Sequence, residues 1–271
     1  MPTLLPRLLG RRPKEHILIA CFPKSGSTYL STVLQELFGF PNGYAAELGR
    51  QNEQDISERR LGRLRRRTVL QQHVRATYSN LRILLSHQMR PIVQTRNLFD
   101  VLASMHDHFQ IHRASLSCGY ISDDYLRMSW HERLDYLIHL HLPWYFNFLL
   151  SWREAGRSLE ICPVRYEDLF ADREKELQRI ASFYGIPTSP EQIQKAIVRI
   201  ATADTRFNVG IAGRGAELLS DSHKQAIYRM ADSCHVKVTE LGGVSLLGDA
   251  NETPTEALSH EPLLTDRHAS P

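Results

Sequence analysis

The sequence predicts an α/β protein with a central parallel β-sheet flanked by α-helices, and three observations carry that expectation. Short, almost wholly apolar runs recur along the chain; most are followed by segments of helical periodicity; and the first is joined to its helix by a small, lysine-bearing turn. Uninterrupted apolar strands alternating with helices are what a sheet covered on both faces requires. With 271 residues, 42% hydrophobic and 23% charged, the chain can bury one sizeable core. Residues 1–14 read as a basic N-terminal extension, 15–247 as a single domain, and 248–271, polar and proline-broken, as a disordered tail.

Four runs are assigned as buried strands: His16–Phe22, Val69–His73, Pro91–Arg96 and Leu159–Val164. Thr28–Leu37 follows the first as a helix, with Leu30, Val33, Leu34 and Leu37 on one face. Leu98–Phe109 follows the third, with Val101, Leu102, Met105 and Phe109 in register. Leu134–Trp152 is apolar nearly all round and reads as a buried helix that Pro143 must kink or split. Phe170–Tyr184 and Pro190–Ala201 are further helices, the first stopped by Gly185 and Pro187. The irregular stretch His106–Trp130 is placed where a binding loop can hang over the carboxyl ends of the strands.

The turn after the first strand reads Pro23-Lys24-Ser25-Gly26-Ser27-Thr28-Tyr29. Backbone N–H groups at a helix start have no intrahelical acceptor and sit at the positive end of the macrodipole, so an anion can bind there. Gly26 permits close approach, Lys24 adds a charge, and Ser25, Ser27 and Thr28 add hydroxyls. In a Walker A loop the lysine follows the last glycine. Here it precedes Gly26, which weakens a metal-and-triphosphate reading. The bland alternative is an ordinary strand-to-helix turn.

The third strand ends in Arg96, with Asp100 at the following helix start and Ser104 one turn further. Arg96 can grip a phosphate through its planar fork, and Ser104 can donate a hydroxyl. Taken alone, an arginine after a strand is more often a structural ion-pair partner. Combined with the lysine-first loop, it points to a ligand with two separated anionic groups.

Net charge is only +3, but basic residues cluster between Arg59 and Arg67, either as a solvated helix face or as an anion patch. Cys21, Cys118, Cys162 and Cys234 are scattered without a paired spacing, which fits a reducing compartment. No apolar run reaches membrane-spanning length, and the reading is of a cytoplasmic protein.

These motifs together resemble the sulfotransferases that use 3′-phosphoadenosine 5′-phosphosulfate (PAPS). Pro23–Tyr29 is similar to the family's 5′-phosphosulfate loop, and Arg96–Ser104 to its 3′-phosphate motif. Val164-Arg-Tyr-Glu-Asp-Leu169, the helix Glu176–Ala181 and Gly185-Ile-Pro187 resemble later family segments, so the likeness covers about residues 15 to 235. It implies a P-loop nucleoside-triphosphate-hydrolase-like fold, PAPS as sulfuryl donor, no required metal, and an acceptor that is a small molecule, sugar or lipid. It also implies that His73 is the base, because Gln71-Gln72-His73 occupies the place of the family's histidine. Imidazole, with an unperturbed pKa near neutrality, suits that task. His106, His108 and His112 compete for the role, and a satisfied structural histidine is the alternative for His73.

Three departures stand beside the match. Gln71 occupies a position where many members carry lysine, Tyr29 one where a tryptophan often stacks on adenine, and Phe207–Gly215 matches the family's basic C-terminal loop only loosely. The resemblance then assigns Lys24 and His73 to catalysis. It assigns Pro23, Ser25, Gly26, Ser27, Thr28, Tyr29, Arg96, Ser104 and Tyr166 to the nucleotide, with Arg214 or Arg206 supplying the missing cation. Two rivals are a phosphotransferase on the same scaffold and a non-catalytic anion- or nucleic-acid-binding module using Arg59–Arg67. The preferred reading has no nucleic-acid partner. Histidine-based metal sites, from His106, His108 and His112 or from His139 and His141, are disfavoured because the latter pair belongs to the buried helix. The aromatics Tyr136, Trp144, Tyr145, Phe146, Phe148 and Trp152 are plain core or walls of an acceptor pocket.

Overall fold

A computed structural model describes residues 15–48, 52–111, 119–202 and 213–236. The extension 1–14, the tail 248–271, His112, Cys118, Arg206 and most of the loop from Phe207 lie outside the described residues. In chain order the elements begin with β1 (Glu15–Cys21), α1 (Ser27–Phe38), β2 (Asn42–Gly43), β3 (Ala46–Leu48) and β4 (Asn52–Ile56). Next come α2 (Glu58–Arg63), β5 (Arg67–Gln72), α3 (Tyr78–Ser86), β6 (Ile92–Thr95) and α4 (Leu98–Ile111). After these follow α5 (Trp130–Tyr136), α6 (Leu142–Ala155), β7 (Cys162–Arg165), α7 (Tyr166–Ala171) and α8 (Arg173–Phe183). The last are α9 (Pro190–Thr202), α10 (Arg214–Leu218) and α11 (Asp221–Ser233).

Five strands form one parallel sheet in the order β2-β5-β1-β6-β7, and β3 with β4 make a separate antiparallel pair. Alternation along β1 divides the core. Leu18, Ala20 and Phe22 join α3, α4 and α6 on one face, while Ile17, Ile19 and Cys21 join α1, α8 and α9 on the other. Neighbouring strands β1 and β6 therefore send their helices to opposite faces. That divergence opens a crevice at the carboxyl edge, the topological switch point of an open α/β sheet.

All four expected strands are present, the last shifted to Cys162–Arg165. The helix expected over Leu134–Trp152 is split: α5 and α6 are separated by a wide π-turn over Leu137–His141, immediately before Pro143 in the first turn of α6. A proline lacks the N–H and crowds the carbonyl four residues back, and a widened turn removes the conflict. The helix expected over Phe170–Tyr184 is likewise two. Asp172 leaves helical geometry at φ −147° and caps α8 by accepting the Lys175 N–H at 3.0 Å, so its side chain wins over helix continuation.

The Arg59–Arg67 run is divided between α2 and the start of β5. Arg66 and Arg67 pair with Glu15 at 3.4 and 2.7 Å, at the amino edge of the sheet. They lie at the opposite end from the Lys24 loop. No described helix is long and apolar enough to cross a membrane.

Candidate active site

Four chain segments leave the sheet at its carboxyl edge side by side: the Lys24 loop after β1, His73 after β5, Arg96 after β6 and Tyr166 after β7. Register keeps them level, since Ala20 pairs with Gln72, Cys21 with Gln94, and Thr95 with Arg165. Residues distant in sequence are thereby brought to one row by backbone pairing alone.

The loop itself is tightly coiled. Lys24 and Gly26 both lie in left-handed backbone conformation, with φ of 67° and 82°. For Lys24 this conformation is strained by about 1 kcal/mol, and surrounding contacts must hold it. Three side chains do so by binding the loop's carbonyls. Tyr145 donates its hydroxyl to the Pro23 oxygen at 3.1 Å, Arg96 donates to the Lys24 oxygen at 3.0 Å, and Gln94 donates to the Ser25 oxygen at 3.1 Å. With its oxygens tied into the protein, the loop is left to present N–H groups at the start of α1. Gly26 is also required for space, because a Cβ there would lie 2.5 Å from the Tyr166 ring.

Several polar atoms of this loop are ready for an anion. The Ser25 hydroxyl and the Arg96 Nε are buried and make no hydrogen bond. Lys24 is partly buried; desolvation, then the neighbouring Arg96 charge, lower its pKa, and Asp107 opposes them. Lys24 and Arg96 raise each other's energy, which an anion between them would relieve.

His73 is held on the other side of the loop. Its Nδ1 lies 3.3 Å from the Cys21 carbonyl and 3.4 Å from the Cys21 sulfur. A carbonyl only accepts, so Nδ1 carries the proton and Nε2 the lone pair. Burial drives the His73 pKa down to about 4, with the Cys21 bond opposing, so the ring is neutral at physiological pH. Gln71, two residues earlier, donates to the Ser27 hydroxyl at 2.9 Å.

The opposite flank is aromatic and cationic. Arg96 stacks over Tyr166 at 4.2 Å, Tyr166 meets Phe170 at 4.3 Å, and Phe170 meets Tyr29 at 5.1 Å. Arg173 covers Phe170 and Tyr29 at 4.9 and 5.6 Å. Tyr29 and Tyr166 are both buried, 8% and 4% exposed, so little of either ring is accessible. Thr28 is exposed, and its carbonyl accepts from Thr32.

Ser104 is buried on α4, one turn before Asp107. Asp107 pairs with Arg214, which brings that arginine to the helix that carries Ser104. The α10 start is fixed there by Asp100, whose two oxygens accept the Gly213 and Gly215 N–H groups at 2.8 Å each. The rival histidines are placed differently. His106 is fully buried against Trp130 with ring centroids 3.9 Å apart, and His108 lies beside Phe109. His141 is fully buried, with Gly119 closely packed on its ring. Among the described residues no group of three or more His, Cys, Asp or Glu is arranged to hold a metal.

Gln94, Arg173 and Asp107 were not expected at the site, and Tyr145, read as plain core or acceptor-pocket wall, instead braces the loop. Gln94 had a visible signal, a lone amide inside an apolar strand run; Arg173 and Asp107 had none.

The Sulfotransferase domain family matches residues 14–209. The chain is 40% identical over 63 residues to Cytosolic sulfotransferase 14 of Arabidopsis thaliana, a stretch spanning 23% of this chain and only 18% of that relative's length. Among solved structures it is similar to mouse sulfotransferase SULT7A1 complexed with PAP, with a TM-score of 0.63 and 16% identity, over 82% of this chain and 85% of that one. A retinol dehydratase in complex with androsterone and inactive cofactor PAP aligns with a TM-score of 0.58 and 15% identity, over 83% and 81%. At such identities the structural likeness carries the fold alone, and the sequence match over most of the chain carries the family: this protein belongs to the sulfotransferase family.

Proposed function

We propose that the protein transfers a sulfuryl group from PAPS to a hydroxyl of an acceptor, in line and without a metal. The observation that supports this most is the pairing, across one crevice, of a cationic loop beside unsatisfied donors and a histidine whose Nδ1 lies 3.3 Å from a backbone carbonyl, the contact that leaves the lone pair on Nε2. Lys24, Ser25, Ser27, Thr28 and the adjoining N–H groups would hold the phosphosulfate, and Pro23 and Gly26 shape that loop. Arg96, Ser104 and Arg214 would take the 3′-phosphate, and Tyr29 and Tyr166 the adenine.

In the reaction the acceptor oxygen bonds to sulfur as the bond from sulfur to the phosphate oxygen breaks. The acceptor's proton passes to His73 Nε2, and the leaving 3′-phosphoadenosine 5′-phosphate (PAP) carries the displaced electron pair. A positioned base of this kind typically gives ~10²–10⁴-fold. Lys24 and the loop donors stabilise charge on the sulfuryl and leaving oxygens. An alcohol, phenol, sugar or lipid hydroxyl is the acceptor class, with an amine as the alternative nucleophile. Likeness to a cytosolic relative supports a cytoplasmic location.

Calorimetric titration with PAP tests the assignment. Lys24→Ala and Arg96→Ala should each abolish binding, whereas neutralising Arg59, Arg63 and Arg65 should not. Unchanged affinity in both site variants overturns the reading. A screen with labelled PAPS across alcohols, phenols, sugars and lipids then finds the acceptor.

A further inference from the structure

The end of β5 sets Gln71 beside the same crevice as His73. Strand alternation puts residues 71 and 73 on one side, and both are partly accessible while Gln72 and Val74 are buried. Gln71 is only partly exposed. Its amide Nε2 crosses to the first residue of α1 and donates to the Ser27 hydroxyl oxygen at 2.9 Å. Ser27 is itself only 4% exposed, so this bond lies in a site where an unmet polar group is costly.

A hydroxyl that accepts from an amide directs its own proton elsewhere. Ser27 is thereby set as a donor at the mouth of the loop, next to the N–H groups at the start of α1. A glutamine does this without adding charge, and a carboxylate in its place would reverse the bond and draw the Ser27 proton to itself.

Resting on the sulfuryl-transfer reading above, we propose that Gln71 is a positioning residue: it aims the Ser27 hydroxyl as a donor at the phosphosulfate oxygens on which charge develops during transfer. Gln71 acts through Ser27 and touches no reacting atom. It links the base-bearing strand to the phosphate loop, so the side of the crevice that carries His73 also orders the donors facing it.

The test is a mutant cycle read by transfer of labelled sulfuryl from PAPS to 4-nitrophenol, and to water without acceptor, with PAP calorimetry in parallel. Losing orientation of one donor should lower kcat about tenfold in Gln71→Ala, while removing or reversing it in Ser27→Ala or Gln71→Glu should cost on the order of a hundredfold. The double variant Ser27→Ala/Gln71→Ala should be no slower than Ser27→Ala, because both changes remove one interaction. PAP binding should persist in Gln71→Ala, which separates misorientation from misfolding. Additive losses in the double variant, or a Gln71→Glu enzyme as fast as wild type, would overturn the proposal while leaving the sulfotransferase reading intact. If wild-type protein binds no PAP and transfers no label, the underlying reading fails and the proposal falls with it.

Discussion

The Nδ1 of His73 lies 3.3 Å from the backbone carbonyl of Cys21, the last residue of the strand that delivers the Lys24 loop. That contact fixes the tautomer from the main chain, so His73 and the Lys24 loop share one rigid origin. With its pKa held at about 4 by burial, His73 is unprotonated throughout the physiological range. The acid limb of the kcat/KM profile should therefore fall near pH 4 rather than near 6.5. His73→Ala should keep PAP binding and lose ~10²–10⁴-fold in turnover. An acid limb at 6.5, or substantial residual turnover, would move the base to the His106–His112 region.

Stability should depend on pH through the same ring and through His141, whose pKa burial also lowers to about 4. Between about pH 6.5 and pH 4 the unfolded chain binds these protons and the folded chain does not. Stability is thus fully present above 6.5 and is lost as pH falls toward 4. Denaturant midpoints measured across that window should drop. His141→Phe, which removes one titrating group from a site bounded by Phe109 and Tyr136, should flatten the decline.

Gly26→Ala should be among the most damaging single-methyl changes in the loop. The new Cβ meets Tyr166 at 2.5 Å, and the φ of 82° is strained for any L side chain. Strain of this kind costs on the order of 1–3 kcal/mol before any clash is counted. PAP affinity should collapse together with a lowered melting temperature. Pairing it with Tyr166→Ala should not recover stability, because the space is restored but the backbone strain stays and a buried ring is lost from its packing against Arg96 and Phe170.

Much of this candidate site's placement was legible because its residues sit in short local motifs. Lys24, Gly26, Arg96 and His73 each stand at the end of an apolar run, where a loop at the sheet's carboxyl edge is the expected consequence. The loop's supports were harder to read: Gln94 stood out only as a lone amide in an apolar run and Tyr145 only as one aromatic among several, since they reach the loop from 69 and 122 residues away. β2 escaped because Asn42-Gly43 is two residues long and polar or small. α11 did leave a trace, with His223, Ile227 and Ala231 buried at four-residue spacing, but its exposed face is too polar for the apolar count to rise.

Asp100 and Asp107 both hold the Arg214 segment, yet they should matter unequally. Asp100 is buried and accepts two N–H groups at 2.8 Å, whereas Asp107 meets Arg214 with both side chains more than a third exposed. Exposed ion pairs contribute roughly 0–1 kcal/mol, while hydrogen bonds to a charged group contribute about 1.5–3 kcal/mol. Asp100→Ala should lower PAP affinity by tenfold or more on the order of one such bond. Asp107→Asn should change it little at moderate salt. Calorimetry at two ionic strengths separates them, since only the Asp107 effect should fade as salt rises.

Gln94 and Tyr145 allow the loop's left-handed geometry to be tested without changing Lys24, Ser25 or Arg96. Tyr145→Phe removes the hydroxyl that meets the Pro23 oxygen, and Gln94→Leu removes the amide that meets the Ser25 oxygen. Each change leaves a carbonyl without its donor in a buried setting, a cost of about 1–3 kcal/mol. Gln94 lies closer to the anion cradle, 3.9 Å from where a Cβ on Gly26 would stand. Gln94→Leu should therefore weaken PAP binding more than Tyr145→Phe for a similar fall in denaturant midpoint. If both variants lose stability but bind PAP as wild type does, the loop keeps its shape without these bonds, and the carbonyl-anchoring account is wrong.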